Sequence, residues 1–152
     1  MYEKLLSEAT HQGVGIYEMP MKPTVRGLYS DNIIWINRLV PSMAEKTCIL
    51  AEELGHYHTS AGNILDQSKI VNRKQELRAR QWAYERLVPL DKIIQAQKEG
   101  IRNRFELASY LGVTEEFLEE ALRRYKDKYG VFTVVNEITL YFDPLGTLEM
   151  FE

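Results

Sequence analysis

Apolar and polar positions along this chain follow two rhythms, one short and one helical. Residues 2–9 read as a short amphipathic helix, broken by Gly13 and Gly15. Val14 to Met19 reads as a strand closed by Pro20 and Pro23. Arg26–Tyr29 and Ile33–Asn37 flank the polar triplet Ser30-Asp31-Asn32, which predicts a hairpin. From Ser42 the helical rhythm takes over: Ser42 and Glu45 form a capping box, and the helix should run from about Met43 to Tyr57. A second helix is expected over 72–87, stopped near Pro89, and a third over 92–98 with Asp91 as its cap. Phe105–Leu111 and Glu115–Tyr129 read as a helix pair around Gly112-Val113-Thr114. Phe132–Val135 and Glu137–Phe142 read as a closing hairpin around Asn136. The pattern predicts an α+β fold: a mostly helical part with a small antiparallel sheet over residues 1–98, and a helical pair plus hairpin over 99–152 packed on it.

Composition narrows the function classes. The chain has 152 residues, enough for a domain with its own core. Its 45% hydrophobic and 27% charged residues are those of a soluble globular protein. A net charge of -3 gives no global attraction to nucleic acid or anionic membrane. No apolar run is long enough to span a bilayer, and the first residues lack a signal-peptide core. Cys48 is the only cysteine, which excludes a disulfide framework or thiolate zinc cluster and reads as a small buried hydrophobe. The expected compartment is a reducing cytoplasm.

Chemistry concentrates on the helix after Ser42. Cys48-Ile-Leu-Ala-Glu-Glu-Leu-Gly-His-Tyr-His58 contains Glu52-Glu53-Leu54-Gly55-His56, one residue away from the His-Glu-x-x-His zinc motif. At about 100° per residue, Ile49, Glu52, Glu53 and His56 share one side, with Glu52 and His56 four residues apart. Two adjacent carboxylates on an otherwise apolar helix are costly unless something cationic pairs with them. One reading is a divalent metal held by Glu52 and His56, with Glu53 as the general base that activates a metal-bound water. The other is a buried ion pair to arginines of the next helix. Gly55 in mid-helix costs about 1 kcal/mol and predicts a close neighbour there.

The second helix offers a third ligand. Glu76, Ala79, Ala83 and Leu87 share a stripe, so Glu76 should face inward, as a ligand or as a partner of an arginine such as Arg80. Asp66 and His58 are further candidates, the latter only if the first helix frays at Tyr57. The Ile33–Asn37 strand is a candidate for binding substrate by edge pairing.

Two segments, Leu50-Ala-Glu-Glu-Leu-Gly-His56 and Glu76-Leu-Arg-Ala79-Arg-Gln-Trp82-Ala83-Tyr-Glu-Arg-Leu87-Val-Pro89, agree in order and spacing with one known family. Over about His11 to Lys98 the chain resembles the ImmA/IrrE metallopeptidases, most closely the short versions of phages and mobile elements. The resemblance implies a gluzincin-like core, a zinc ion, and cleavage of a DNA-binding repressor, which would make the protein an anti-repressor. Carried over by position, Glu52 stands for the first metal-binding histidine, Glu53 for the catalytic glutamate and His56 for the second histidine. The family's third ligand falls on Arg78, two residues after Glu76. Two accounts fit that departure. In one, Glu52, His56 and Glu76 form a shifted site, open to manganese or iron as well as zinc. In the other, a Glu52–Arg78 salt bridge replaces the metal, leaving a non-catalytic repressor-binding module.

The pair around Gly112 has the outline of a helix-turn-helix. Its second helix, however, opens with Glu115, Glu116, Glu119 and Glu120, where a reading helix would meet phosphates. Lys98 to Lys128 holds seven basic and seven acidic residues, so no basic stripe compensates. This predicts packing or protein docking and no direct nucleic-acid contact.

Overall fold

The computed structural model describes residues 1–59 and 69–149, which fall into two units, Met1–Arg86 and Leu87–Glu152. Its elements are α1 (Tyr2–His11), β1 (Gly15–Met19), β2 (Gly27–Ser30), β3 (Ile33–Asn37), α2 (Met43–Thr59), α3 (Lys69–Leu87), α4 (Leu90–Lys98), α5 (Arg104–Leu111), α6 (Glu115–Tyr129), β4 (Phe132–Val135), β5 (Ile138–Phe142) and β6 (Leu145–Glu149). The fold is α+β, as the pattern predicts. Among the described residues no helix is long and apolar enough to cross a membrane.

In the first unit the strands run in the order β1-β3-β2. The β2–β3 hairpin is antiparallel and closes with Ser30 opposite Ile33. Its two loop residues, Asp31 and Asn32, both have positive φ (49° and 63°), the backbone that a two-residue hairpin turn demands. β1 adds to the other side of β3 in parallel, with Tyr17 opposite Trp35. The sheet is therefore mixed, with β3 in its centre. Alternation along β3 sends Ile34 and Ile36, both fully buried, toward the core. Buried Leu5 and Ala9 of α1 and Leu50, Ala51 and Leu54 of α2 share that core. The Ser42 cap is formed: Glu45 N–H donates to Ser42 Oγ at 3.1 Å. α2 continues through Thr59, two residues past the expected end.

The second unit is built on α6, which buries Phe117, Leu118, Ala121, Leu122 and Tyr125. Thr114 caps it, accepting from Phe117 N–H at 3.1 Å. Gly112, at φ 74°, ends α5 in the left-handed conformation that turns the chain into α6. Tyr125 Oη donates to the Val88 carbonyl at 2.8 Å. Two details differ from the sequence-based expectation. Asp91 does not cap α4; Pro89 holds the cap position and Asp91 sits in the first turn, where its charge still favours the helix dipole. The closing hairpin also has a third strand, β6, antiparallel to β5 with Phe142 opposite Leu145.

Candidate functional site

Gly55 sets the geometry of the site. A Cβ there would lie 2.8 Å from the Ala79 carbonyl carbon, so glycine is what lets α2 and α3 cross in backbone contact. One residue beyond Gly55 is His56, and three residues before Ala79 is Glu76. The crossing brings His56 Nε2 to 3.1 Å from Glu76 Oε1. The imidazole is largely covered (16% exposed), whereas the Glu76 carboxylate keeps 54% of its surface in water.

The remaining carboxylates complete an acidic cluster. Burial pushes the Glu53 carboxyl up to about 7; neighbouring Glu52 and Glu76 push the same way, against His56. The Glu76 hydrogen bond raises the His56 pKa, opposed by its burial and assisted by the charges of Glu76, Glu53 and Glu52. The same bond, aided by the charges of His56 and Arg80, outweighs partial burial and lowers the Glu76 pKa. Three acids thus act on one imidazole, and burial holds the Glu53 carboxyl near neutrality.

The fit to a metal can be judged from the donors. Two ligands of a tetrahedral zinc lie about 3.3 Å apart, each roughly 2.0 Å from the ion. The 3.1 Å between His56 Nε2 and Glu76 Oε1 is close to that spacing as well as to a hydrogen bond. The pair fits two corners of a zinc site. Among the described residues, no group of three His, Cys, Asp or Glu side chains is arranged to hold an ion.

The other sequence candidates fall as follows. Glu52 is half-buried on the same helix and electrostatically coupled to Glu53 and His56. His58 does not join them: because α2 persists through Thr59, its ring stacks on Trp82 at 4.6 Å and 18°. Asp66 lies outside the described residues. The Glu52–Arg78 salt bridge is not formed. Arg78 is exposed and makes no ion pair among the described residues, since its place on α3 is on the solvent side of the Glu76–Ala79 stripe. The Ile33–Asn37 strand cannot receive a peptide by edge pairing, because β1 and β2 occupy both its edges.

Two contributors were not singled out from the sequence. Gly27, on β2, faces α2: a Cβ there would meet Ile49 Cγ2 at 2.7 Å and Glu53 Oε1 at 3.3 Å. The signal was a glycine inside a strand, which marks close approach. Asn37, buried at the end of β3, clamps the loop that leads into β2. Its Nδ2 donates to the carbonyls of Val25 (2.7 Å), Lys22 (3.2 Å) and Met21 (3.4 Å), and its Oδ1 accepts from Met21 N–H (3.2 Å) and Leu39 N–H (3.0 Å).

The two helices that carry Glu53, His56 and Glu76, with the sheet beside them, lie within a stretch that matches a known family. No curated protein shows significant similarity to the chain. The profile of the IrrE N-terminal-like domain, peptidase family M78, matches residues 9–123. With most of its length so covered, the chain belongs to this metallopeptidase family.

Proposed function

We propose that this protein inactivates a DNA-binding repressor of a phage or mobile element by metal-dependent hydrolysis of one peptide bond. The observation that carries the reading is the convergence of His56 Nε2 and Glu76 Oε1 at 3.1 Å beside the buried Glu53. His56 and Glu76 would hold the cation, with Glu52 as the nearby carboxylate in the position of the family's first ligand. Zinc is the expected ion, and a set this rich in carboxylate also accepts manganese or iron. A bound ion of this kind supplies Lewis acidity toward a carbonyl and a water. Glu53 is the proton carrier. Burial raises this carboxyl to about 7 in the metal-free site, and a cation held by its neighbours would favour the ionised form that a general base needs.

The substrate segment binds extended. β2 is an edge strand, and its Gly27 lies directly against Glu53, so a peptide paired with β2 would pass beside that carboxyl. The setting is the cytoplasm and the partner is a protein. The carboxylates that open α6, Glu115 and Glu116, argue against a phosphate backbone there.

A second reading is capture without chemistry. It is favoured by one observation: His56 and Glu76 already bond each other directly, at 3.1 Å. Metal analysis of protein purified without chelators, and mass spectrometry of the repressor after incubation, separate the two. Hydrolysis requires bound metal that is lost in His56→Ala, and two repressor fragments that vanish in Glu53→Gln. A repressor left intact yet released from its operator, with Glu53→Gln equally active, establishes capture and sinks the hydrolytic reading.

A further inference from the structure

The sheet of the first unit has a second face that neither reading uses. Register places Tyr17 of β1, Trp35 of β3 and Leu28 of β2 in one row across it. Directly paired residues point the same way, and this row faces away from buried Ile34 and Ile36. Tyr17 is 58% exposed and Leu28 52%, and Met19, the next outward residue on β1, is 45% exposed. The Tyr17 ring lies back over Gly15, 3.4 Å from where a Cβ would stand, which flattens that side of the surface. Four large apolar side chains on the solvent side of a three-stranded sheet are unusual for a surface with no partner.

Two cationic residues stand at the Asn37 end of this sheet. Arg38 N–H bonds the Met19 carbonyl, and Lys22 is held there through its carbonyl on Asn37. Both side chains are exposed, and neither forms an ion pair among the described residues. On a chain of net charge -3, two exposed cationic residues at the end of a sheet with an apolar face favour an acidic partner. Size selects the kind of partner. Three strands about 4.8 Å apart and roughly 3.3 Å per residue make a face of about 250 Å². That is far below the roughly 800 Å² per subunit of a stable dimer. It matches one helix, about 10 Å wide and some eleven residues long.

We propose that the Tyr17–Trp35–Leu28 face docks a single amphipathic helix of a partner protein, with carboxylates at the end that meets Lys22 and Arg38. Packing there would complete a helix–sheet–helix sandwich, with α2 already covering the opposite face. The site is independent of the Glu53 chemistry.

Two fluorescently labelled helical peptides of about eleven residues test it on the full chain. Both present leucines on one face; one carries three glutamates in its first turn, the other three lysines. Saturable anisotropy change is expected with the glutamate peptide, and about tenfold weaker binding or more with the lysine peptide. Lys22→Glu with Arg38→Glu should invert that preference, and Leu28→Asp should abolish binding of both. All three side chains are exposed, and an unchanged circular-dichroism melt verifies folding of each variant. No saturable binding of the glutamate peptide, equal affinity for both peptides, or binding that survives Leu28→Asp overturns the proposal. A chain that sediments as a dimer and becomes monomeric in Leu28→Asp reassigns the face to a second copy.

Discussion

Gly55 on α2 and Ala79 on α3 touch backbone to backbone, with a Cβ on Gly55 placed 2.8 Å from the Ala79 carbonyl carbon. The obstacle is main chain, which cannot swing aside as a side chain could. Helix propensity alone would make Gly55→Ala favourable by about 1 kcal/mol. Overpacking against a backbone carbonyl costs more, typically 1–3 kcal/mol or above. The expected net effect is a loss of about 2 kcal/mol in urea unfolding followed by tryptophan fluorescence. Both tryptophans, Trp35 and Trp82, lie in the Met1–Arg86 unit and report on it. The variant should also retain less metal, since His56 would be levered away from Glu76. An alanine variant as stable as the parent would refute the close crossing.

Gly27→Ala acts on the same helix from the sheet side. Its methyl would stand 2.7 Å from Ile49 Cγ2, a branch fixed close to the helix backbone, and 3.3 Å from Glu53 Oε1. A destabilisation of about 1–3 kcal/mol is expected. Ile49→Ala removes the obstructing branch, so the double variant should lose less than the sum of the two single variants. Additive losses in a double-mutant cycle would show that Gly27 does not press on Ile49.

Much of this was legible in the chain because local rules act locally. Ser42 with Glu45, the polar Asp31-Asn32 turn and the glycine at position 55 each declare a cap, a reversal or a close neighbour without help from distant residues. The stripe of Glu76 with Ala79 and Ala83 puts that carboxylate against His56, although half of its surface stays in water. What stayed hidden depends on pairing between segments. Period-2 alternation says that Ile33–Asn37 is a strand but not that β1 will join it in parallel and close its second edge. β6 was missed because its Gly146 interrupts a short run that follows Pro144. The fate of Arg78 depended on how α3 rotates against α2, which the Gly55–Ala79 contact decides.

Asn37 offers a test in which a conservative change should be as damaging as truncation. Its amide oxygen accepts two bonds and its two N–H hydrogens are shared among three carbonyls, tying residues 21, 22, 25 and 39 together. Asn37→Ala strands those loop groups and should cost about 3 kcal/mol. Asn37→Asp keeps the acceptor but faces the Val25 and Lys22 carbonyls with a second oxygen. It should cost as much as alanine near neutral pH. If aspartate is tolerated, measured by the same urea titration, the donating side of this amide is not what holds the loop.

The acidic cluster makes stability depend on pH in a direction opposite to ordinary carboxylates. Glu53 has its pKa raised from 4.5 to about 7, so its contribution to folding is full below about 4.5 and is lost as pH rises through 7. The raised His56 acts the same way, with its contribution present below 6.5 and lost above its folded value. Glu76 has a lowered pKa and works in reverse, weakening the fold only as pH falls below 4.5. With respect to these groups the metal-free protein should therefore be most stable near pH 4.5 and lose stability toward pH 8. The Glu53 part, between its ordinary value and about 7, is on the order of 3 kcal/mol. Glu53→Gln should flatten most of that slope, because glutamine keeps the shape and cannot ionise. Zinc should act against it: ligands bind metal when deprotonated, so its stabilising effect should be larger at pH 8 than at pH 5.5. Thermal melts of the parent and the Glu53→Gln variant at both pH values, with and without zinc, decide the matter. A metal-free parent that is more stable at pH 8 than at pH 5.5 would mean that Glu53 is ionised in the folded protein and that its sheltered, proton-holding role is wrong.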